Sequence, residues 1–381
     1  MKILKIWDTF QTELKYHDHY LADEMKKSGI ETVFLSSDKI NKEFYPFLKN
    51  KDIKAGEDNY NGSKIIRLKS FEFMGKQFIL EIKKMYKEIK NGDYDVIHIF
   101  GISNPISILC LLLVKFSGKR IPIYFNDHSN PDLKNQSIIG KIYYKFNIYM
   151  FNLFKKKIFK VFTPNLASYN LIKSRYNLSD DKIDIIPLGY DSSVFYYSGK
   201  KNIEKKLVLG FAGKLLSNKR IELLIEVLSE IDDIDIVCEV VGLYDEPSEY
   251  QKSLINYAKE KNVSMNFKPL IKDPVKLAEY YNYIDVAVFP GSISITTLEA
   301  TGCGTPIILF ESIEGLEDRV ENDRGILFKE KRELMDAIKF YKNKKQKKLI
   351  DSKVIEQNSH KFSWKELSKI YLDLYKKEMK N

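Results

Sequence analysis

The chain has 381 residues, of which 44% are hydrophobic and 30% are charged. This composition is typical of a globular protein and excludes a disordered, collagen-like or disulfide-stapled chain. The length is sufficient for two domains, each with its own core. Polar residues and Pro105 interrupt the uncharged stretch 96–114, so the sequence predicts no membrane-spanning helix.

The formal net charge of +10 points to an anionic partner: a nucleic acid, a membrane surface or an anionic substrate. Much of the excess lies in residues 133–179, which contain no Asp or Glu. Nine bases occur there: Lys134, Lys141, Lys145, Lys155, Lys156, Lys157, Lys160, Lys173 and Arg175.

The three cysteines and the N-terminus predict a cytoplasmic protein. Cys110, Cys238 and Cys303 are far apart in apolar surroundings, which is typical of buried thiols and disfavours a metal site built on cysteine. Asp8 interrupts the apolar N-terminus before a signal-peptide core could form.

Apolar runs of strand length alternate with segments of helical period, which predicts an α/β protein with parallel sheets. The predicted strands of the first half are 2–6, 32–35, 96–100, 121–125, 160–162 and 183–186. Those of the second half are 207–211, 236–241, 264–267, 286–289 and 306–310. A polar connection over 191–206 places the boundary between domains 1–194 and 195–362. Because such sheets bind ligands at the carboxyl ends of their strands, we expect a central cleft between the two domains.

Residues 284–308 read as a strand, a loop of small residues, a short helix, a glycine turn and a further strand. Amides of Ser294, Ile295, Thr296 and Thr297 at the start of that helix are suited to an anion. Glu299 follows them, and its carboxylate is able to accept hydrogen bonds from ribose hydroxyls. On spacing alone, an ordinary carboxylate near a helix start explains Glu299 equally well.

The segment 207–224 reads as a buried strand, a glycine turn and a helix beginning near Asn218. Lys214 and Lys219 flank this turn as two point charges suited to a diphosphate. The alternative is that both lysines are simply solvated, as is common in a lysine-rich chain.

These segments resemble the retaining nucleotide-sugar glycosyltransferases of family 4, which have the GT-B fold of two Rossmann-like domains. Gly213-Lys214 and Lys219 match the family's donor-phosphate residues, and Glu299-Ala300, Gly304 and Pro306 match the end of its Glu-x7-Glu motif. The resemblance implies that Glu299 holds the donor ribose.

The chain departs from this motif at one position. Gly291 stands where the family has its first glutamate, which contacts the sugar ring. Ser292 and Ser294 stand where glycines are common, and we expect their hydroxyls to take over sugar contacts.

The resemblance continues into the first half. Residues 185–195, 95–101 and 2–6 resemble the interdomain crossing and two strands of the family. It implies that Tyr16, His17 and Asp127 lie on the acceptor side. His17 and His19 stand where the first helix would begin, and we expect them to face solvent or acceptor. Asn126-Asp127-His128-Ser129 stands where the family places a catalytic-cleft histidine. His128 is therefore expected to contact the sugar near the reacting carbon, with Asp127 beside it either orienting the ring or capping a turn. The last helix, within 363–381, is expected to pack back on the N-terminal domain.

Residues 140–160 interleave aromatic residues with lysines, so they fit an interfacial helix on an anionic membrane. They fit equally a core helix whose lysines reach to water.

The sequence thus predicts a retaining, metal-independent hexosyltransferase without a cofactor. It would use a UDP or GDP sugar as donor, and a glycan or lipid-linked acceptor in cell-envelope polysaccharide synthesis. Lys214, Lys219 and His128 would be its catalytic residues. Asp233-Ile-Asp235 precedes a strand and is not interpreted as a metal motif. A nucleotide-sugar epimerase, an inactive scaffold and a basic nucleic-acid-binding protein are the rivals, the last of them disfavoured because no RNA-binding signature is present.

Overall fold

The computed structural model describes residues 1–41, 48, 53–73, 77–129, 138–199, 201 and 205–378, with the backbone alone at 77 and 378. By packing, the chain divides into two compact units. The first comprises Met1–Pro187 with Ser368–Asn381, and the second comprises Leu188–Leu367. The division at Pro187 precedes the boundary expected near 195.

The first unit contains an eight-stranded sheet and a two-stranded one. The strands are β1 (Lys2–Ile6), β2 (Glu31–Ser37), β3 (Gly56–Tyr60), β4 (Ser63–Leu68), β5 (Ser70–Phe73), β6 (Gln77–Leu80), β7 (Val96–Phe100), β8 (Ile123–Asn126), β9 (Ile158–Thr163) and β10 (Ile183–Ile185). The large sheet has the order β10-β9-β8-β7-β1-β2-β4-β3, and β5 pairs with β6. Pairing in the large sheet is parallel except between β3 and β4. Strands such as β7 are almost continuously apolar and buried. This pattern is typical of a parallel sheet that is buried on both faces.

Helices connect these strands. They are α1 (His17–Lys27), α2 (Ile82–Asn91), α3 (Pro105–Ser117), α4 (Ile138–Phe154) and α5 (Leu166–Tyr176). Helix α3 shows the local rules clearly, because Pro105 occupies its first turn and Gly118 ends it in the left-handed conformation.

The sequence reading missed β3 to β6. Strand β3 is mostly exposed and polar, so it lacks the apolar signal of a buried strand. Its turn does carry a signal: Asn61 and Gly62 both have positive φ (49° and 84°) between the paired residues Tyr60 and Ser63. An Asn-Gly pair in this conformation is the preferred two-residue hairpin turn.

A buried ion pair lies at the centre of the first unit. Lys5 on β1 bonds to Asp18 on α1, and both side chains are almost inaccessible. Burial opposes both charges. It lowers the pKa of Lys5, whereas Lys5 and His17 overcome burial to hold the pKa of Asp18 well below its usual value.

The second unit contains a single six-stranded parallel sheet. Its strands are β11 (Leu207–Ala212), β12 (Ile236–Leu243), β13 (Met265–Pro269), β14 (Val286–Phe289), β15 (Ile307–Phe310) and β16 (Gly325–Phe328). The order β13-β12-β11-β14-β15-β16 reverses between β11 and β14. This is the doubly wound dinucleotide-binding order, whose ligands bind at the reversal point. Every strand predicted in this half is present, and β16 was missed.

The helices of the second unit alternate with its strands. They are α6 (Ile221–Ile231), α7 (Glu249–Glu260), α8 (Pro274–Tyr283), α9 (Thr296–Gly302), α10 (Glu317–Val320), α11 (Lys331–Gln346) and α12 (Ser352–Ser359). Helix α6 begins at Ile221, because Ser217–Lys219 form a 3₁₀ turn; the expected start near Asn218 was wrong.

The last helix, α13 (Trp364–Glu378), contributes Ser368 and later residues to the first unit. There the Tyr371 hydroxyl lies 3.2 Å from His17 Nε2, and the Tyr375 hydroxyl bonds to His98 Nδ1.

Cys110, Cys238 and Cys303 are free and buried, as predicted. Across the described residues, no helix is both long and apolar enough to cross a membrane.

The ion pair of Lys5 with Asp18 predicts a large stability effect. Asp18→Asn leaves the buried ammonium uncompensated, so the free energy of unfolding should fall by about 3–5 kcal/mol in urea denaturation near neutral pH. The folded pKa of Asp18 lies below the unfolded 3.8, so this difference should be constant above that value and shrink as the pH falls through the folded pKa.

Glu57→Gln in the exposed pair with Lys64 is the control and should cause no comparable loss. Equal stability of Asp18→Asn and the wild type would contradict the electrostatic account.

Candidate functional site

Two segments meet at the reversal point of the second sheet. Residues 213–220 follow β11, and residues 290–295 follow β14. The Ser292 amide donates to the Asn218 carbonyl at 2.8 Å, and Lys219 Nζ donates to the Ser292 carbonyl at 2.8 Å. The structure therefore brings together Lys219 and Ser292, which the sequence singled out separately.

Gly291 is required by this contact. A Cβ at position 291 would lie 2.2 Å from the Asn218 carbonyl oxygen and 2.6 Å from Lys219 Cα. Both neighbours are backbone atoms, so neither moves aside without shifting its segment. Any side chain there, glutamate included, is incompatible with this arrangement of the two segments. The absence of a side chain at position 291 is thus a packing requirement of this chain.

Residues 213–220, which follow β11, form an electropositive segment. Lys214 is exposed and Lys219 is half-buried, and desolvation lowers the pKa of both ammonium groups. Arg220 adopts the left-handed conformation (φ 54°), and its guanidinium carbon lies 4.4 Å from the ring centroid of Phe310. Partly desolvated cations interact more strongly with an anion than fully hydrated ones do.

Helix α9 carries Glu299 one turn from its start. The side chain is half-buried, and its Oε2 atom is buried without a hydrogen-bond partner among the described residues. Burial raises the pKa of Glu299 to about 7. A buried acceptor without a donor costs free energy, so this oxygen is suited to accept a hydrogen bond from a ligand.

The turn before α9 is closed by its own side chains. The Ser294 hydroxyl bonds to the Thr296 hydroxyl, and Thr297 donates from Oγ1 (2.9 Å) and from its amide (3.3 Å) to the Ser294 carbonyl. The Thr297 amide is therefore engaged within the turn.

The turn after α9 explains why the motif has a glycine at position 304. Gly304 has φ of 69°, and a Cβ there would lie 2.4 Å from the Ser352 carbonyl oxygen at the start of α12. Only glycine fits both demands. The motif thus fixes how α9 turns into β15.

In the first unit, His128 follows β8 and is half-buried. Its ring packs edge-on against Phe100, with centroids 5.2 Å apart, and against His17 at 5.3 Å. Burial, followed by the charge of His17, lowers the pKa of His128 to about 3. The imidazole is neutral at physiological pH, so it offers one donor and one acceptor and no charge.

Of the two alternatives for His17 and His19, the one in which they face solvent was wrong, and their place on the acceptor side stays a prediction. His17 is 8% exposed, and Asn126 Nδ2 donates to its Nε2 at 3.2 Å. His19 is fully buried, with Nε2 2.7 Å from the Gln11 carbonyl oxygen and Nδ1 accepting from the Tyr16 amide at 3.1 Å. Both rings are structural hydrogen-bonding groups. Tyr16 remains 41% exposed at the start of α1.

Asp127 fastens two loops together. Its Oδ2 accepts from the Ile102 amide and its Oδ1 from the Ser129 amide, both at 2.8 Å. The carboxyl group is buried, so its role is to hold the loops after β7 and β8. This arrangement caps the turn that presents His128.

Asp233 lies before β12, at the amino end of the sheet, and forms an ion pair with Lys342. Within the described part of the chain, no group of three or more His, Cys, Asp or Glu is arranged to hold a metal ion.

Sequence reasoning missed Asn218, Arg220 and Tyr281. Tyr281 on α8 is fully buried, and burial followed by the Glu299 charge raises the pKa of its phenol. Asn218 accepts the Ser292 amide with its backbone carbonyl, and the residue type gives no signal for a backbone contact. The sequence shows the pair Lys219-Arg220, but it gives no signal that the backbone of Arg220 is left-handed.

Models of two families match most of the chain. The model described as Glycosyltransferase Family 4 matches residues 16–194, and that described as Glycosyl transferases group 1 matches residues 197–359.

Curated and solved relatives agree with these matches. A D-inositol 3-phosphate glycosyltransferase of Arthrobacter sp. (strain FB24) is 29% identical over 150 residues, which cover 35% of each chain. The chain spans less than two thirds of the length of the curated relatives it matches.

Two solved structures share the fold over the whole chain. A glycosyltransferase from Rickettsia africae ESF-5 has a TM-score of 0.74 at 16% identity, covering 100% of this chain and 99% of its own. Anabaena Alr3699/HepE in complex with UDP has a TM-score of 0.70 at 15% identity, covering 99% and 100%.

The close approach at position 291 makes a substitution there costly. Gly291→Ala should lower the melting temperature and separate the segments that position Lys219. Ser292→Ala, which keeps the Ser292 amide and carbonyl bonds, is the matched control and should melt like the wild type. Thermal unfolding followed by circular dichroism checks this, and a wild-type melting temperature for Gly291→Ala would refute the packing account.

Glu299 predicts an unusual pH dependence. Its folded pKa of about 7 lies above the unfolded value of 4.5, so folding favours the protonated form and this stabilisation is lost as the pH rises through 7. Glu299→Gln mimics the protonated form. Without ligand, the melting temperature of Glu299→Gln minus that of the wild type should therefore be larger above pH 7 than below pH 4.5. A pH-independent difference would show that Glu299 is not desolvated.

Proposed function

Because the chain belongs to the group 1 glycosyltransferases with the GT-B fold, we propose that it transfers a sugar from a nucleoside diphosphate sugar to a glycan or lipid-linked acceptor. The proposal further specifies retention of configuration at the transferred carbon. The buried thiols fit a reducing compartment, and we place the reaction in the cytoplasm. A cell-envelope polysaccharide remains our prediction for the product.

The observation that carries the proposal is the unpartnered Oε2 of Glu299 at the reversal point of the sheet. A ribose presents two neighbouring hydroxyl donors, which a carboxylate accepts with its two oxygens. These hydrogen bonds would favour the ionised form and offset the cost of burying it. The binding free energy of the nucleotide thus compensates for a site that is unfavourable when empty.

The diphosphate is assigned to the electropositive segment. Lys214 and Lys219 would neutralise the charge that develops on the leaving phosphate, with the amides of Ser294, Ile295 and Thr296 as further donors. The bond from Lys219 to the Ser292 carbonyl supports this, because it holds the ammonium in place before the donor arrives. Preorganised charge is the largest catalytic contribution assigned to this chain.

In the proposed step, the bond between the sugar C1 and the diphosphate oxygen breaks while the acceptor oxygen bonds to C1 on the same face. The acceptor proton passes to the departing diphosphate oxygen. No protein nucleophile is assigned. The neutral imidazole of His128 is proposed to hydrogen-bond the sugar near C1, and the lysines would make a divalent cation unnecessary.

The donor base is proposed to be uracil, with guanine as the alternative. HepE, which shares the fold, was solved in complex with UDP and in complex with UDP-glucose. With glycine at 291, the chain presents no carboxylate at that position, and Ser292 and Ser294 are the nearest hydroxyl groups assigned to the sugar.

Gly291 also favours one second candidate, a scaffold that binds nucleotide without transferring sugar. The transferase and the scaffold are both expected to bind a nucleotide, and only the transferase turns over a donor. Nucleotide binding and turnover therefore both have to be measured.

Nucleotide binding is tested by thermal shift with UDP, GDP, ADP and CMP. One nucleotide should stabilise the protein, by about 2.7 kcal/mol at 100 times its dissociation constant. Lys219→Ala and Glu299→Ala should abolish most of the shift, whereas Lys339→Ala on the exposed face of α11 should retain it. A protein that responds to none of the four nucleotides would overturn the proposal.

Turnover is then measured with the matching nucleotide sugars in the presence of EDTA, following release of the nucleoside diphosphate. Release that depends on Lys219 supports the transferase. Binding without release of product from any donor would identify the scaffold, and release abolished by EDTA would contradict metal independence.

A further inference from the structure

Helix α4 has two apolar faces on opposite sides. At about 100° per residue, Asn147, Phe151 and Phe154 project to one side of the helix axis. Six large apolar residues project to the other side within an arc of about 100°. They form what we term the outer stripe: Ile138, Ile139, Ile142, Phe146, Tyr149 and Leu153.

The inner face is anchored in the first unit. Phe151 and Asn147 are completely buried, and the Tyr176 hydroxyl donates to Asn147 Oδ1 at 2.7 Å. Tyr143 donates to the Ser103 carbonyl at 2.7 Å. These bonds fix the rotation of α4 about its axis. The outer stripe cannot turn inward without breaking them.

The outer stripe is exposed along the whole helix. Its side chains are between 54% (Phe146) and 78% (Ile138) exposed. Single exposed apolar residues are ordinary, but a contiguous row of six on one face marks an interaction surface. The packing of the first unit therefore does not explain these residues.

Basic residues border the outer stripe. Lys141 and Lys145 flank one side and are exposed, and Lys156 and Lys157 are exposed just beyond its C-terminal end. The chain has no acidic residue from 138 to 179.

We infer that the outer stripe of α4 docks on an anionic lipid surface, with its apolar side chains among the acyl chains and its lysines on the head groups. A 17-residue helix whose exposed face is apolar and bordered by bases has the form of an interfacial helix. This inference is independent of the proposed function, because it uses none of the residues assigned to the donor or to the transferred sugar.

Charge complementarity favours lipid over a second copy of the chain. A two-fold interface is self-complementary, so it would bring the lysines of one copy close to the same lysines of the other. That contact has no acidic partner within residues 138–179 and is repulsive. An anionic bilayer supplies both the apolar layer and the negative charge.

The test is co-sedimentation of the full chain with vesicles, either of phosphatidylcholine alone or of phosphatidylcholine containing phosphatidylglycerol. The wild type should sediment with the anionic vesicles and be released by high salt. Lys141→Glu with Lys145→Glu should weaken binding at least about tenfold. Ile142→Ser with Phe146→Ser should weaken it about tenfold or more.

Two controls use residues of α11 in the second unit and Lys347, which directly follows that helix. Lys339→Glu with Lys347→Glu makes the same change in net charge, and Phe340→Ser removes an exposed aromatic ring. Both should bind like the wild type, and all four variants should keep the wild-type melting temperature because the substituted residues are exposed. The nucleotide thermal shift should be unchanged in all four, which separates this inference from the proposed function.

Failure of the wild type to bind anionic vesicles at low salt would overturn the inference. Equal losses in the α11 controls would do so as well. Light scattering that shows a dimer converted to monomer by Ile142→Ser with Phe146→Ser would instead identify a second copy as the occupant of the outer stripe.

Discussion

The contact of Gly291 with the backbone of Asn218 and Lys219 is the constraint on which the donor side depends. Sheet order brings the ends of β11 and β14 together, but the missing side chain at 291 sets how closely the following segments approach. That approach allows the Lys219 ammonium to reach the Ser292 carbonyl. The position of the cation is therefore a consequence of main-chain packing, and a glycine that looks like a lost catalytic residue is a structural requirement of the site.

Much of the second unit could be predicted from its sequence, because its strands are short apolar runs that the parallel sheet buries on both faces. Lys219, Glu299 and Gly304 were found by motif, and the structure gives a physical reason for Lys219 and Gly304. Asn218 could not be found, since its carbonyl is the functional group and every residue has one. In the first unit, the exposed strand β3 has no apolar signal, whereas the Asn61-Gly62 turn would have revealed its hairpin.

The histidines show where sequence reasoning stops. His17, His19 and His128 stand in similar polar surroundings in the sequence, yet the fold buries the first two in hydrogen bonds and leaves the third half-buried beside them. What separates them is their partners: Asn126 and Tyr371, both distant in sequence, for His17, and the nearby Gln11 carbonyl and Tyr16 amide for His19. Because the partners of His17 come together only in the tertiary structure, residue type and local pattern cannot distinguish a structural imidazole from an available one.

Two features raise the free energy of the isolated chain, and neither is explained by its folding. Glu299 buries an acceptor without a donor, although glutamine or leucine would be cheaper to bury there. The outer stripe of α4 exposes six large apolar side chains, although polar residues would leave the anchored inner face intact. Natural chains tolerate such costs where a partner offsets them. Their chemistry differs: a buried carboxylate needs hydroxyl or amide donors, whereas an apolar stripe bordered by lysines needs a surface that is both apolar and anionic. The two costs therefore point to two separate partners, which we propose to be a nucleotide for the second unit and an anionic lipid surface for the first.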